Sequence, residues 1–301
     1  MRVLVTGASG HIASALVPEL LGAGHDVVGL ARSETAAAAV EALGAKVQHG
    51  SLDDLGALTE AAAACDGVIH LAYRHDLLFS GDIEGATAAH TKAVGAMASA
   101  LDGTGKPFVG VNGTLILAMA GITGRPGTEE DTVAAGPAAD RENVVIALAE
   151  RGVRASVVRL APTVHSDLDK GGFVPVLVGF ARHRGAAVYV GDGSNRWPAV
   201  STYDAARLLR LAFESAPAGA RLHGVAEEGI PFREIAEAIA SNLDLPAKSV
   251  TSEEAGDYLG PVSLFAHADN PTSSDLTRQR FDWQPGHPGL IADINEGHYF
   301  S

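Results

Sequence analysis

Two glycines near the amino terminus have the spacing and surroundings of a phosphate-binding turn. An apolar run, Val3 to Val5, leads into Gly7 and Gly10, and apolar residues then recur at helical spacing as far as Leu21. Such a turn lets the backbone approach a pyrophosphate, and the first N–H groups of the helix can bind the phosphate oxygens. The pattern therefore predicts dinucleotide binding. The predicted contacts from this turn are Gly7, Ser9, Gly10, His11 and Ile12.

The end of the second predicted strand indicates which dinucleotide is bound. NAD-selective sites usually place a carboxylate there, which binds the 2′-hydroxyl of the ribose. Here Ala31 stands at that place and is followed by Arg32 and Ser33. A guanidinium beside a hydroxyl suits a 2′-phosphate through charge-assisted hydrogen bonds. The sequence therefore favours NADP(H), while Glu34 keeps NAD(H) open.

Predicted strands and helices alternate along the first half of the chain. Short apolar strands come near residues 46–50, 67–73, 107–114 and 154–162, with helices at about 55–65, 84–102 and 139–151. Repeated units of this kind predict an α/β fold with a doubly wound parallel sheet of Rossmann type. Ligands of such sheets bind at the carboxyl ends of the strands. This rule adds Ser51, Leu52, Leu71, Ala72, Tyr73, Asn112, Pro162 and Val164 to the predicted cofactor contacts.

Composition excludes several classes of protein. The 301 residues are 47% hydrophobic and 19% charged, as in a globular chain that buries a sizeable core. A formal net charge of −14 opposes nucleic acid and anionic membranes as partners. Cys65 is the only cysteine, no apolar run is long enough to span a membrane, and no signal peptide precedes the first strand. We therefore expect a cytoplasmic protein with a small-molecule substrate.

The twelve histidines of the chain show no zinc-ligand spacing, which predicts no metal.

The chain resembles the extended-type short-chain dehydrogenases/reductases, the NAD-dependent epimerase/dehydratase-like superfamily. The resemblance is carried by residues 6–13, 50–54, 68–72, 151–165, 191–198 and 276–285. It implies a Rossmann domain over 1–165 and 199–225, and a smaller substrate-binding domain over 166–198 and 226–301. It also implies a homodimer through the helices near 84–102 and 139–151. These helices are rich in apolar side chains that could instead face their own sheet, among them Ala96, Met97, Val144, Ile146 and Leu148.

One departure from that family concerns the acid–base residues. Its enzymes carry a Tyr-x-x-x-Lys pair on the helix after the fifth strand, in which tyrosine transfers the proton and lysine lowers the tyrosine pKa. None of the five tyrosines here has a lysine four residues later. Counting back from Glu142 places Ala134 and Ala138 where the pair would stand. The sequence predicts that the usual pair is missing.

Four other residues are candidates for the missing chemistry. Thr114 stands near the Ser/Thr place after the fifth strand and could orient a substrate oxygen. His165 follows a segment that lines the nicotinamide in the family this chain resembles, and a histidine is a plausible general acid near neutral pH. Tyr73 and His75 follow the fourth strand. A single histidine in a loop is more often a polar surface residue, and Tyr73 could instead pack beneath the cofactor.

Three functions remain compatible with these observations. The first is an NADP(H)-dependent reductase acting on a carbonyl or imine of a small metabolite. The second is a sugar-nucleotide epimerase or dehydratase, against which the missing pair and Arg32 both count. The third is a non-catalytic NADP(H)-binding sensor or scaffold, which needs no acid–base pair.

Overall fold

The computed structural model describes residues 1–301, the side chain of Phe79 excepted. The strands are β1 (Arg2–Thr6), β2 (Asp26–Ala31), β3 (Lys46–His49), β4 (Gly67–His70), β5 (Pro107–Gly113), β6 (Arg154–Leu160), β7 (Thr163–His165), β8 (Ala187–Val190), β9 (Arg196–Ser201), β10 (Ala220–Gly224), β11 (Glu227–Pro231) and β12 (Ala247–Val250). The helices are α1 (His11–Gly22), α2 (Glu34–Ala42), α3 (Leu55–Ala63), α4 (His75–Phe79), α5 (Ile83–Ser99), α6 (Leu115–Met119), α7 (Pro137–Ile146), α8 (Phe173–Arg184), α9 (Thr202–Ser215), α10 (Phe232–Leu243), α11 (Ser252–Leu259), α12 (Asp275–Phe281) and α13 (Leu290–Asn295).

Seven parallel strands form the central sheet, in the order β3-β2-β1-β4-β5-β6-β10. The order reverses at β1, which lies between β2 and β4. Such a reversal opens a crevice at the carboxyl ends of the strands, where open α/β sheets bind ligands. The predicted Rossmann-type sheet is therefore confirmed.

Helices cover both faces of this sheet because its strands are apolar on both sides. On one face, side chains such as Val3 and Val5 join a core with α1, α2 and α9. On the other face, side chains such as Leu4 and Val68 join a core with α3, α5 and α7. Alternate strand residues point to opposite faces, so a continuous apolar strand feeds both cores.

A smaller set of elements follows β6 and has a hydrophobic core of its own. Strands β7, β9 and β11 form a three-stranded sheet, and β8 pairs with β12. Helices α8, α10, α11 and α13 contribute to this core, whose centre includes the fully buried Trp197. Strand β10, by contrast, returns to the central sheet. The predicted domain boundaries at 165/166, 198/199 and 225/226 stay a prediction.

The sequence predicts no membrane-spanning segment. None of the helices in the described part of the chain combines the length and hydrophobicity needed to cross a bilayer.

Candidate functional site

The turn between β1 and α1 requires glycine for a steric reason. Gly7 has a φ of +69°, and a Cβ at this position would lie 2.9 Å from the backbone nitrogen of Ala72. The Gly10 N–H donates to the Gly7 carbonyl at 3.0 Å and closes the turn. Because no side chain intervenes, the turn packs directly against the segment after β4. This brings the predicted contacts Gly7, Leu71 and Ala72 together at the crevice.

The amino end of α1 presents backbone donors to that crevice. Gly10 caps the helix without a side-chain bond, and both Ser9 and Gly10 are exposed. The first bond within the helix runs from Ser14 N–H to the Gly10 carbonyl at 3.1 Å. The N–H groups of His11, Ile12 and Ala13 accordingly have no partner among the described hydrogen bonds. The turn thus fits the pyrophosphate of a dinucleotide.

The predicted ribose contacts lie at the ends of β2 and β3. Arg32 is exposed, and Ser33 caps α2 by accepting the Ala36 N–H at 3.2 Å, which leaves its own hydroxyl proton available. The Ser51 hydroxyl accepts the Asp53 N–H at 3.2 Å. Leu52 packs its side chain into the core with α3, so only its backbone can contact a ligand.

A chain of buried hydrogen bonds runs behind the glycine turn. We call Thr6, His70 and His90 the histidine relay. The Thr6 hydroxyl lies 2.6 Å from His70 Nδ1, and His70 Nε2 lies 3.3 Å from His90 Nδ1. His90 Nε2 lies 3.1 Å from the Arg141 carbonyl, which can only accept. His90 therefore donates from Nε2, accepts at Nδ1 from His70, and leaves His70 Nδ1 to accept the Thr6 proton.

Burial keeps both relay histidines neutral. It lowers the pKa of His90 to about 4, and it lowers that of His70 well below the ordinary value, with His90 adding to the effect. The Thr6 hydroxyl also accepts the Ala72 N–H at 3.2 Å. The relay thereby connects the crevice wall at Ala72 with α7.

Arg141 on α7 lies against Tyr73, one of the predicted catalytic residues. Its guanidinium carbon is 4.4 Å from the centre of the Tyr73 ring, and Nη2 donates to Asn112 Oδ1 at 3.1 Å. Burial lowers the pKa of Arg141, and its Nε is buried without a hydrogen-bond partner. The His75 ring packs edge-on against Tyr73 at 5.5 Å. Arg141 thus connects Tyr73 with Asn112, and His75 joins them through its contact with Tyr73. Sequence reasoning missed Arg141.

The position of α7 is fixed by buried charge. Glu142 accepts two hydrogen bonds of 2.7 Å from Arg159 on β6 and one from Arg221 on β10. Burial alone would raise the pKa of Glu142, but the two arginines outweigh it and hold the pKa below its usual value. Ala138 lies in the first turn of α7, while Ala134 precedes the helix. That the chain works without the tyrosine–lysine pair stays a prediction.

Thr114 and His165 are placed differently from Tyr73. Thr114 is fully buried, and its hydroxyl accepts the Asn270 side-chain N–H at 2.9 Å. His165 is 1% exposed. It follows the partly buried Val164 in β7, and Pro162 precedes this strand. The substrate roles of both residues stay predictions.

His165 contacts the carboxyl-terminal segment. We call His165, Asp293, Glu296 and His298 the tail cluster. His165 Nδ1 lies 3.0 Å from Asp293 Oδ2, and His298 Nε2 lies 3.6 Å from the same oxygen. His11 faces this side of the crevice as well, because its Nε2 bonds Thr202 Oγ1 at 2.7 Å. His11 Nδ1 lies 3.5 Å from Asp169 Oδ1, so the backbone N–H of His11 is what is left to bind phosphate.

Comparison with known proteins indicates the family and the fold of the chain. A family model described as "NAD dependent epimerase/dehydratase family" matches residues 3–133. "Uncharacterized protein C2A9.02" of Schizosaccharomyces pombe is 44% identical over 302 residues, which cover all of both chains. A ketoreductase of Stigmatella aurantiaca, which acts by name on a farnesylated dihydroquinoline oxide, is 43% identical over 72 residues, 24% of this chain and 22% of that protein. The dTDP-glucose 4,6-dehydratase DesIV of Streptomyces venezuelae, solved with NAD and TYD, superposes with a TM-score of 0.78 at 19% sequence identity. The match covers 98% of this chain and 96% of the DesIV chain, which shows that the two share a fold.

Proposed function

Because the chain belongs to the NAD dependent epimerase/dehydratase family, we propose that it is an NADP(H)-dependent oxidoreductase that reduces a carbonyl or imine of a small metabolite. The family consists of enzymes that depend on a nicotinamide dinucleotide. The observation that carries the proposal is the amino end of α1, whose unpaired N–H groups open into the same crevice as Tyr73 and Arg141. The ketoreductase likeness, confined to a quarter of the chain, supports the same reaction class.

Arg32 and Ser33 carry the choice of cofactor. Both are exposed at the end of β2, where they would hold a 2′-phosphate. Calorimetry should show tighter binding of NADP⁺ than of NAD⁺. Arg32→Ala should weaken NADP⁺ binding by about 10- to 150-fold, equal to about 1.5–3 kcal/mol. The control Arg184→Ala removes an exposed arginine at the end of α8 and should change neither affinity. Equal affinities for both cofactors, or no loss in Arg32→Ala, would contradict the preference for NADP(H).

The residues of the crevice would divide the work between binding and proton transfer. The nicotinamide, once bound near Ala72, Pro162 and Val164, would supply the hydride. Tyr73 would donate the proton to the substrate oxygen or nitrogen. Arg141, stacked on the Tyr73 ring and held by Asn112, would stabilise the phenolate left behind. The arrangement gives proton transfer to residues outside the usual helix pair.

A substrate panel tests the reaction itself. Purified protein is mixed with NADPH and with carbonyl and imine compounds, and NADPH oxidation is followed by absorbance. Turnover with any of them supports a reductase. Cofactor binding without turnover on a broad panel favours a sensor or scaffold, and NAD retained through purification favours an epimerase or dehydratase.

We also propose that two copies associate through α5 and α7. Met97 and Leu148 pack into their own core, but Ala96, Val144 and Ile146 are partly exposed. Partly exposed apolar residues on adjacent helices can pack across a two-fold axis. Light scattering at micromolar concentration should give the mass of a dimer, and a monomer mass would reject this interface.

A further inference from the structure

The tail cluster brings potential metal ligands together at the carboxyl-terminal end. Asp293 is buried, Glu296 is exposed and His298 is partly buried. One ligand atom from each of these three residues lies within 4.8 Å of the others. Two of them follow α13 directly, so the backbone holds them close to Asp293.

Two imidazole nitrogens in this cluster lack hydrogen bonds. His165 is 1% exposed, and its Nδ1 makes no hydrogen bond although Asp293 Oδ2 is only 3.0 Å away. His298 Nε2 is likewise buried without a hydrogen bond, 3.6 Å from the same oxygen. Buried polar atoms are rarely left this way, and each such case calls for a partner. Both nitrogens lie near the same oxygen, Asp293 Oδ2, although His165 stands outside the group of three residues whose ligand atoms are all within 4.8 Å of one another.

The spacing of Asp293 and His298 is that of ligands that share an ion. Zinc bonds to nitrogen and oxygen are about 2.0–2.2 Å long, so ligands around a tetrahedral ion lie roughly 3.3–3.6 Å apart, and His298 Nε2 lies 3.6 Å from Asp293 Oδ2. A plain ion pair would instead align an imidazole N–H with the oxygen. We propose that the tail cluster binds a divalent transition metal ion, with Zn²⁺ as the best match.

Donor type supports this class of ion. The cluster offers carboxylate oxygens from Asp293 and Glu296 and imidazole nitrogens from His165 and His298, a mixed donor set. Nitrogen donors suit zinc and its transition-metal neighbours, whereas calcium and magnesium prefer oxygen alone. The Tyr299 hydroxyl donates to Asp293 Oδ2 at 3.2 Å while accepting the Ser166 N–H at 3.0 Å. Hydrogen bonding of a ligating carboxylate is common around metals and fixes its orientation.

An ion at this place would join the chain end to β7. It would hold residues 293–298 against His165, whose Nδ1 would then be a ligand and unable to donate a proton. The site is separate from the proposed function, since neither Tyr73 nor the glycine turn takes part in it.

Zinc binding by untagged protein tests the site. After treatment with a chelator and its removal, calorimetry with ZnCl₂ should show one ion bound per chain, and Zn²⁺ should raise Tm. Glu296→Gln, an exposed change that the fold tolerates, and His298→Ala should each weaken binding at least tenfold. His183→Ala removes an exposed histidine of α8 and should bind like the wild type. Absence of binding below about 100 μM, or unchanged affinity in both ligand variants, would overturn the proposal.

Cobalt tests the role of His165 separately. Co²⁺ in a site with two nitrogen and two oxygen ligands gives visible absorption bands that depend on the ligands. His165→Gln should weaken Co²⁺ binding at least tenfold and change these bands. An unchanged spectrum and affinity would remove His165 from the site and overturn the four-ligand assignment.

Discussion

The histidine relay and the tail cluster contain the same residue types but differ in how their polar atoms are paired. In the relay, both ring nitrogens of His70 and His90 have partners, which fixes each tautomer. In the tail cluster, His165 and His298 each leave a buried nitrogen without a hydrogen bond. A buried network whose polar atoms are all paired has a structural role, whereas one with unpaired atoms can accept a ligand. Hydrogen-bond satisfaction therefore distinguishes the two regions where composition does not.

The histidine relay and the tail cluster also lie in different parts of the fold. The relay joins β1 and β4, two adjacent strands at the centre of the sheet, to α5, which covers one of its faces. The tail cluster joins the end of β7 to α13 and the residues that follow it. This difference has three measurable consequences.

The largest effect should come from Tyr73, which borders the relay through Arg141. Tyr73→Phe should lower turnover by about 10²- to 10⁴-fold, because general acid help of this kind is lost, while NADP⁺ affinity stays nearly constant. His165→Gln should leave turnover within about tenfold of the wild type, because His165 belongs to the other region. Steady-state kinetics on a substrate from the panel, with calorimetry for NADP⁺, measure both.

Tyr189→Phe is the matched control for Tyr73→Phe. Tyr189 also has an arginine near its ring, Arg233 at 5.5 Å, but it lies on β8. This variant should keep full turnover. If His165→Gln or His75→Ala lowers turnover more than Tyr73→Phe does, the proton donor is on that residue and the proposed division of roles is wrong.

The next effect concerns acid stability and the relay. His90 has a pKa of about 4 in the folded protein against an ordinary value of 6.5, so the unfolded chain binds a proton in this pH range that the folded chain excludes. Stability should therefore fall as the pH drops from 6.5 to 4, by up to about 3 kcal/mol from His90. His90→Gln keeps a donor and an acceptor but cannot titrate. Urea denaturation across this range should show a shallower loss in the variant.

An exposed histidine provides the control for that slope. His183→Gln should retain the wild-type dependence of stability on pH, because His183 lies on the outer side of α8. A slope that His90→Gln leaves unchanged would mean that other groups cause the acid sensitivity.

Much of the fold was predictable because its signals are local. The glycine turn, the apolar strands and the alternation with helices each depend on neighbouring residues, and all of them predicted the parallel sheet. The helix expected at 139–151 shows that local signals do not predict element boundaries accurately. Helix α7 stops at Ile146 and continues as a 3₁₀ turn over Ala147–Arg151. Exact ends depend on packing that a sequence pattern does not contain.

The site was less predictable because distant segments assemble it. Arg141 reaches Tyr73 and Asn112 across the crevice, although its place three residues after Ala138, on the same face of α7, was a usable signal. Asn270 reaches Thr114 from more than 150 residues away, with no local signal at all. The tail cluster also escaped, because its zinc-like set needs His165 beside residues near the chain end.

The smallest effect compares one substitution made in both regions. His90→Leu leaves the His70 Nε2–H without an acceptor inside the protein, and a buried group left unpaired costs about 1–3 kcal/mol. His298→Leu removes a nitrogen that has no hydrogen bond, so in chelator-containing buffer it should cost about 1 kcal/mol or less. Urea denaturation of both variants at pH 7.5 should therefore show a clearly larger loss for His90→Leu. Equal losses would mean that the nitrogens of the tail cluster are paired in solution, and the contrast between the two regions would fail.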